Sequence, residues 1–219
     1  MNILKTIAAQ TAIAMDRDEL FIGLQNANVN LVKAYDETIE GWAHTLEIRD
    51  QETEGHSRRV TDMTIALARL MGIQEEHIQD IQRGALLHDI GKMSISDSVL
   101  NKAGSLDENE WIMMREHPTI AYHLLSSIEY MKHALVIPYC HHEKWDGSGY
   151  PQGLAGDQIP LAARIFAVVD VYDALTSDRP YRKAWSVEDT LKYIREQSGK
   201  HFDPQVVSIF LEKIHPDFS

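Results

Sequence analysis

The sequence predicts an all-α protein, and three observations support that prediction. Apolar residues recur every three or four positions along nearly the whole chain, which is the period of an α-helix and not the alternation of a strand. Helix-capping residues and helix-stopping glycines or prolines stand between the periodic segments. No segment repeats at a fixed period, and no linker divides the chain after residue 50. We therefore expect an N-terminal helical arm at residues 1–50 and one compact helical bundle at residues 51–219.

The arm is predicted from two helical segments. Residues 3–22 have apolar residues at loose helical spacing, and residues 24–50 carry one apolar face. That face consists of Leu24, Leu31, Tyr35, Ile39, Trp42 and Leu46. Such a long leading helix either packs against a second copy of the chain, which gives a homodimer, or carries a signal into a domain; the alternative is that it packs on its own core. The sequence leaves both alternatives open.

The bundle is predicted from the helices that follow in the chain. We expect helices over residues 54–71, 75–90, from about 107, 129–143 and 161–177. A capping box from Ser105 to Glu108 begins the third of these, and Pro118 marks a kink or a break in it. Residues 91–105 and 144–160 are rich in turn-forming residues and are predicted to be loops.

Two more helices are predicted from the residues that would cap their first turns. The helix predicted over residues 161–177 differs from the others in its composition. Ser186 with Asp189, and Asp203 with Pro204, are typical beginnings of helices. The segment 161–177 is strongly apolar; its valines would allow a strand, but its length favours a buried helix.

Composition excludes several classes of protein. The formal net charge is −12, so the chain is a poor candidate for holding polymeric nucleic acid through phosphate contacts. Its one cysteine, Cys140, excludes a disulfide framework and a cysteine-rich zinc site, and it fits a reducing compartment. No apolar run reaches the roughly 18 residues that a membrane helix needs. We expect a cytoplasmic protein that does not insert into membranes.

The eleven histidines indicate where the chemistry lies. Five of them and three carboxylates recur in clusters along the chain: Glu52, His56, His88, Asp89, His117, His141, His142 and Asp170. Mixed imidazole and carboxylate ligands suit iron, manganese, nickel or zinc. Eight ligands exceed what one ion takes, so we expect two or three divalent ions.

Asp170 is the most informative of these residues because its neighbours in the sequence are apolar. A buried carboxylate must be paired with a cation or bound to a metal ion. A salt bridge to Arg164 or Arg179 is the alternative to a metal site. Asp173 lies three residues later on the same predicted helix, where it either orients a ligand or takes a proton as a catalytic group.

Three blocks of sequence resemble a known family. His88-Asp89-Ile90-Gly91-Lys92 resembles the signature of the HD superfamily of metal-dependent phosphohydrolases. The block HHEKWDGSGYP at residues 141–151 closely resembles the HHExWDGxGYP motif of HD-GYP domains. The block at residues 170–182 resembles the one that follows it in that family. The resemblance extends from about Glu37 to Phe210.

The resemblance implies a bacterial phosphodiesterase with an HD-type fold. Such enzymes hydrolyse cyclic di-GMP to pGpG, and often to GMP, through a metal-bridged hydroxide. Iron is the first choice of metal. Carried over by position, the eight residues above are metal ligands, and Glu52 accompanies a third ion.

The resemblance also implies roles beyond metal binding. Lys92 lies near the scissile phosphate and, with Asp89, belongs to the catalytic group. Substrate contacts fall on Gly149, Tyr150, Arg179 and Arg182.

Three questions of function and partner stay open at the level of sequence. The substrate is either cyclic di-GMP or another cyclic dinucleotide such as 3',3'-cGAMP. A cyclic di-GMP-binding signalling module without turnover is the alternative from a different class. Family members usually carry a sensor domain, which does not fit in the first fifty residues, so we expect either a separate upstream sensor protein or a sensor domain missing from this chain.

Overall fold

A computed structural model describes residues 2–178 and 182–214 of the chain, and these residues confirm the all-α fold. Within them no β-strand forms, and an isolated bridge joins Ser198 and Phe202. The chain separates into two compact units, residues 1–40 and residues 41–219. The predicted division at residue 50 stays a prediction.

Helix α1, Asn2–Asp50, is one uninterrupted helix where the sequence suggested two segments. Along residues 2–40 large apolar side chains such as Leu20, Phe21 and Leu24 are exposed. In the second unit the last turns of α1 pack on the bundle, since Ala43 and Leu46 are buried.

Nine further α-helices lie in the described part of the second unit. They are α2 (His56–Leu70), α3 (Glu75–Leu86), α4 (Asp97–Leu100), α5 (Glu108–Arg115), α6 (His117–Ser126), α7 (Val136–Cys140), α8 (Leu161–Thr176), α9 (Val187–Glu196) and α10 (Pro204–Ile209). Short 3-10 turns occupy Ile90–Ser94, Glu129–Leu135 and Gly156–Gln158, and a π-helical turn occupies Phe210–Ile214.

Helix α8 forms the centre of the core, as its apolar sequence predicts. Its side chains Ile165, Phe166 and Val168 are fully buried. Around them pack α2, through residues such as Leu67, and the C-terminal segment, through residues such as Phe202. Burial of this apolar surface is the main force that holds the bundle together.

Two predicted helix boundaries were wrong for local reasons. The helix near residue 107 begins with a capping box between Asp107 and Glu110, not between Ser105 and Glu108, because Asp107 accepts a hydrogen bond from the Glu110 N–H at 3.0 Å. The predicted helix 129–143 is a 3-10 turn up to Leu135, and α-helical geometry begins only at Val136.

Two further predicted helices were too long. Helix α2 begins at His56 and not at residue 54, and α3 ends at Leu86 and not at residue 90. The break at Pro118 is confirmed, because this proline lies in the first turn of the new helix α6.

Among the described helices, none combines the length and the apolar character that crossing a bilayer requires.

Candidate metal centre

Seven of the eight candidate ligands gather in two groups. The first group contains Asp89, His117, His141 and His142; the second contains His56, His88 and Asp170. Within each group the candidate ligand atoms lie within 4.8 Å of one another. Glu52 belongs to neither group; it lies in the turn between α1 and α2. Because α2 begins only at His56, Glu52 and His56 do not share a helix face.

The two groups form because several helix ends meet. His56 and His117 are the first residues of α2 and α6, and His141 directly follows α7. His88 and Asp89 lie in the turn after α3. Asp170 alone comes from within a helix, the central α8.

Gly91 allows the turn that carries Asp89 to reach α6. A Cβ atom at this position would lie 1.9 Å from the carbonyl oxygen of His117. Only glycine lets the two backbones approach this closely. The glycine of the His-Asp-Ile-Gly-Lys block thus brings Asp89 and His117 together.

Asp89 faces both groups. Its Oδ1 lies 3.2 Å from Nε2 of His117 and 3.7 Å from Nε2 of His141. Its Oδ2 lies 3.1 Å from Nε2 of His88. If each group held an ion, Asp89 could contribute one carboxylate oxygen to each of them.

The hydrogen bonds of the imidazoles leave Nε2 available in each case. Nδ1 of His88 lies 2.9 Å from the Ala85 carbonyl oxygen, and Nδ1 of His117 lies 2.7 Å from that of Met114. Nδ1 of His141 lies 3.1 Å from the Ile137 carbonyl oxygen. A carbonyl oxygen can only accept, so each Nδ1 carries the proton and the Nε2 atoms point into the centre.

The donor set fits a divalent cation. Nε2 of His117 lies 3.3 Å from Nε2 of His141. Both Nδ1 atoms donate elsewhere, so in the neutral rings two nitrogen lone pairs face each other. A bound cation would stabilise this arrangement, and mixed imidazole and carboxylate donors suit transition-metal ions. The cluster could therefore bind metal.

His142 and His88 differ in how readily they take up a proton. Burial, with the nearby His141 and His117, holds the pKa of His142 well below its ordinary value. Burial would also lower the pKa of His88, but the Asp89 carboxylate outweighs it and raises that pKa to about 9. Protons and metal ions therefore compete for His88.

The side chain of Lys92 lies beside the first group. Its Nζ is 2.6 Å from Oδ2 of Asp89 and 3.2 Å from Oδ2 of Asp50. Burial alone would lower the pKa of Lys92, but the carboxylates of Asp89 and Asp50 outweigh it and keep that pKa above its ordinary value. Lys92 thus carries its positive charge at the edge of the centre.

Asp173 lies behind His56 and does not face the centre. Its Oδ2 accepts a hydrogen bond from Nδ1 of His56 at 2.7 Å, and Nε of Arg59 donates to its Oδ1 at 2.6 Å. Because both oxygens are engaged, this geometry favours the orienting role over proton transfer. Arg164 instead pairs with Asp157 and Asp203, so it is not the partner of Asp170.

The predicted substrate contacts have different surroundings. The ring of Tyr150 stacks on His142 with the ring centroids 4.7 Å apart, and the guanidinium of Arg115 lies 5.6 Å from the Tyr150 centroid. Arg182 donates to the carbonyl of Ala174 and lies over the ring of Trp185. Arg179 falls outside the described residues.

Sequence reasoning missed three polar residues that shape the site. Asp50 pairs with Lys92, and Arg59 pairs with Asp173. Glu143 is buried and accepts hydrogen bonds from the N–H groups of Gln152 and Leu154 at 2.7 and 3.0 Å, which holds the loop that carries Tyr150. A signal for Glu143 was present, since it stands inside the HHEKWDGSGYP block.

The sequence is similar to a known protein family and to several of its characterised members. A family model described as HD domain matches residues 42–206. The cyclic di-GMP phosphodiesterase response regulator RpfG of Xanthomonas campestris pv. campestris is 44% identical over 177 residues, which cover 80% of this chain and 47% of that protein. The 3'3'-cGAMP-specific phosphodiesterase 2 of Vibrio cholerae is 41% identical over 197 residues, which cover 87% of this chain and 38% of that protein.

A third relative is similar in sequence, and one solved structure is similar in fold. Cyclic di-GMP phosphodiesterase PA4108 of Pseudomonas aeruginosa is 43% identical over 171 residues, which cover 77% of this chain and 41% of that protein. This chain thus spans less than half the length of these three relatives. The crystal structure of the cyclic GMP-AMP-specific phosphodiesterase V-cGAP3 of V. cholerae aligns with a TM-score of 0.64 at 20% identity, over 82% of this chain and 48% of that one. That likeness shows the fold.

Proposed function

This chain belongs to the metal-dependent HD domain family, in its HD-GYP branch, and we propose that it is a phosphodiesterase that hydrolyses cyclic di-GMP to pGpG as its first product. The observation that carries the proposal is the pair of donor groups joined by Asp89, with the ammonium of Lys92 beside them. The relatives named as cyclic di-GMP phosphodiesterases support the choice of substrate.

We propose two divalent ions, one for each donor group, with iron preferred and manganese, nickel or zinc accepted. Divalent ions, when bound, lower the pKa of water and neutralise charge on a phosphoryl oxygen. Because Glu52 lies outside both groups, we do not require a third ion. A measured stoichiometry of three ions per chain would return Glu52 to the ligand set.

The remaining side chains hold and complement the substrate. The positive charge of Lys92 stabilises the negative charge that develops on the phosphate during cleavage. Asp173 and Arg59 fix the ring of His56. We keep Gly149, Tyr150, Arg179 and Arg182 as proposed substrate contacts, on the resemblance to HD-GYP domains.

The test is hydrolysis of cyclic di-GMP by the full chain loaded anaerobically with iron or manganese. Asp89→Ala removes the carboxylate that faces both groups, so we expect kcat/KM to fall by about 100-fold or more. Glu40→Gln, a charge change outside the unit that holds the centre, is the matched control and should keep full activity. If the metal-loaded wild type binds cyclic di-GMP tightly but forms no product over hours, a binding module replaces the enzyme.

A second substrate has a specific observation in its favour. One relative at 41% identity is named as a 3'3'-cGAMP-specific phosphodiesterase. The ratio of kcat/KM for the two cyclic dinucleotides, measured with the same metal-loaded sample, decides between them. A ratio that favours the mixed ring would displace cyclic di-GMP from our proposal.

We further propose that residues 51–219 are the catalytic domain and that residues 1–50 form a homodimer in the cytoplasm, under the control of an upstream sensor. The exposed apolar side chains along residues 2–40 support the homodimer. Sedimentation of the full chain should give the mass of two chains, whereas a monomeric mass contradicts this proposal.

A further inference from the structure

We infer that Asp50 is a positioning residue, which fixes the ammonium of Lys92 at the edge of the metal centre. This inference rests on the proposed function, in which the Lys92 ammonium stabilises negative charge on the phosphate. It concerns the last residue of helix α1, which no sequence motif above includes.

The carboxylate of Asp50 is buried and directed at one cation. Its side chain is only 4% exposed, and its Oδ2 lies 3.2 Å from Nζ of Lys92. Its Oδ1 lies 3.4 Å from the main-chain N–H of Glu52. A buried carboxylate needs a partner of opposite charge, and Lys92 is the partner that the structure provides.

Lys92 needs such a partner for its position. The lysine side chain is a point charge on a flexible four-carbon stem, so one contact does not define where Nζ lies. Asp89 gives one contact at 2.6 Å, but Asp89 also faces both donor groups. Asp50 belongs to neither group, so its charge stays committed to Lys92.

The same turn of α1 also holds the main chain of Lys92. The guanidinium of Arg49 donates to the carbonyl oxygens of Lys92 at 3.0 Å and Ile95 at 2.7 Å. It also pairs with the exposed carboxylate of Asp97 at 2.9 Å. Two neighbouring residues at the end of one helix thus hold the backbone and the ammonium of the same lysine.

The kinetic test is a double-mutant cycle between Asp50→Asn and Lys92→Met in the metal-loaded full chain. If Asp50 acts through Lys92, Asp50→Asn lowers kcat by about 10-fold or more in the wild type and has little effect once Lys92 is methionine. KM and the bound metal per chain should stay near the wild-type values. Asp62→Asn, an exposed aspartate on α2, is the matched control and should change none of these quantities.

A second readout does not depend on activity. In zinc-loaded protein, the Lys92 ammonium protons should exchange with water more slowly in the wild type than in Asp50→Asn, as measured by nitrogen-15 NMR. Equal exchange in the two proteins, or equal loss of kcat with and without Lys92, overturns the inference. If Asp50→Asn fails to fold, Asp50→Glu, which keeps the charge but displaces it by one methylene, takes its place in both measurements.

The two readouts separate this inference from the proposed function. A wild type that cleaves no cyclic dinucleotide contradicts the function, while the NMR measurement still tests Asp50. An active wild type with an additive cycle contradicts the positioning role alone.

Discussion

Gly149 shows at the scale of one residue how closely the loop of the HHEKWDGSGYP block packs on its own beginning. A Cβ atom there would lie 2.4 Å from the Lys144 nitrogen, 2.5 Å from Cα of Glu143 and 2.6 Å from the carbonyl oxygen of His142. All three atoms belong to the main chain, so no side-chain rotation relieves the overlap. The loop can therefore keep Tyr150 stacked on His142 only while residue 149 has no side chain.

We predict that Gly149→Ala displaces this loop and costs about 1–3 kcal/mol of unfolding free energy. Urea denaturation measures that cost, and kcat/KM of the metal-loaded variant should fall with it. Gly41→Ala is the control, because a Cβ there meets nothing within 4 Å and the position lies inside helix α1. Equal stabilities of the two variants would contradict the prediction.

His201 provides a prediction about pH. Burial and the nearby positive charge of Lys144 lower the pKa of His201 to about 4. The unfolded chain has a His pKa near 6.5, so between these values it binds more protons than the folded chain. Stability should therefore fall as the pH drops from about 6.5 towards 4, by about 1–2 kcal/mol for this residue at pH 5.

The measurement for His201 is urea unfolding at pH 7.5 and pH 5.0 in the presence of chelator, which removes the competing effect of metal ions. His201→Gln should lose less stability than the wild type between the two pH values. The same loss in both proteins would show that His201 does not contribute.

Single residues were the most predictable part of the site. Seven of the eight donors identified in the sequence lie in two groups, because the histidine and carboxylate clusters stand at helix ends that the fold brings together. Glu52, the eighth, lies in the turn before α2 and belongs to neither group. Asp50 could not be found, because an acidic residue at the end of a long, largely exposed helix resembles any solvent-exposed carboxylate until its partner is known.

At the scale of elements, the start of α5 shows which of two residues, Ser105 or Asp107, caps the helix. Asp107 accepts a hydrogen bond from the Glu110 N–H, and the Glu110 side chain accepts one from the Asp107 N–H at 2.8 Å. We predict that Asp107→Ala costs about 1 kcal/mol of unfolding free energy, whereas Ser105→Ala costs almost none. Thermal or urea unfolding of both variants checks this, and a larger cost at Ser105 would contradict the structure.

The sequence predicted an α-helix correctly where the apolar period extends over many residues. It did not predict the helix boundaries. Helix α8 was predicted from its apolar run, and its side chains form the core. The segment Glu129–Leu135 carries the same spacing of apolar residues as a helix but adopts a 3-10 turn. Periods of three and of three to four residues look alike over seven positions, so short segments of this kind cannot be separated by sequence alone.

At the scale of the whole molecule, the candidate metal centre joins segments that lie far apart in the chain. Its grouped donors run from His56 to Asp170 and come from α2, α6, α8 and the turns after α3 and α7. An ion that binds only the folded chain stabilises it in proportion to the logarithm of its concentration over its dissociation constant. Metal binding should therefore act on the stability of the entire bundle.

We predict that removing metal with a chelator lowers the melting temperature by about 5 °C or more, and that adding iron or manganese restores it. Scanning calorimetry at matched ionic strength measures the shift. Asp89→Ala is the comparison, because its melting temperature should respond to the chelator much less than that of the wild type. An identical melting temperature with and without metal would contradict a centre built from these donors.

The three imidazoles whose Nδ1 atoms are held by carbonyl oxygens of Ala85, Met114 and Ile137 give the centre an unusual mutational profile. Every residue type offers that carbonyl, so no side-chain substitution at those three positions removes the atom that aims the ring. An alanine scan would not reveal this role, because Ile137→Ala would act through lost core packing, whereas an inserted residue or a proline nearby would tilt the rings. The orientation of the rings should therefore tolerate a change of side chain at these positions but not a change of chain length.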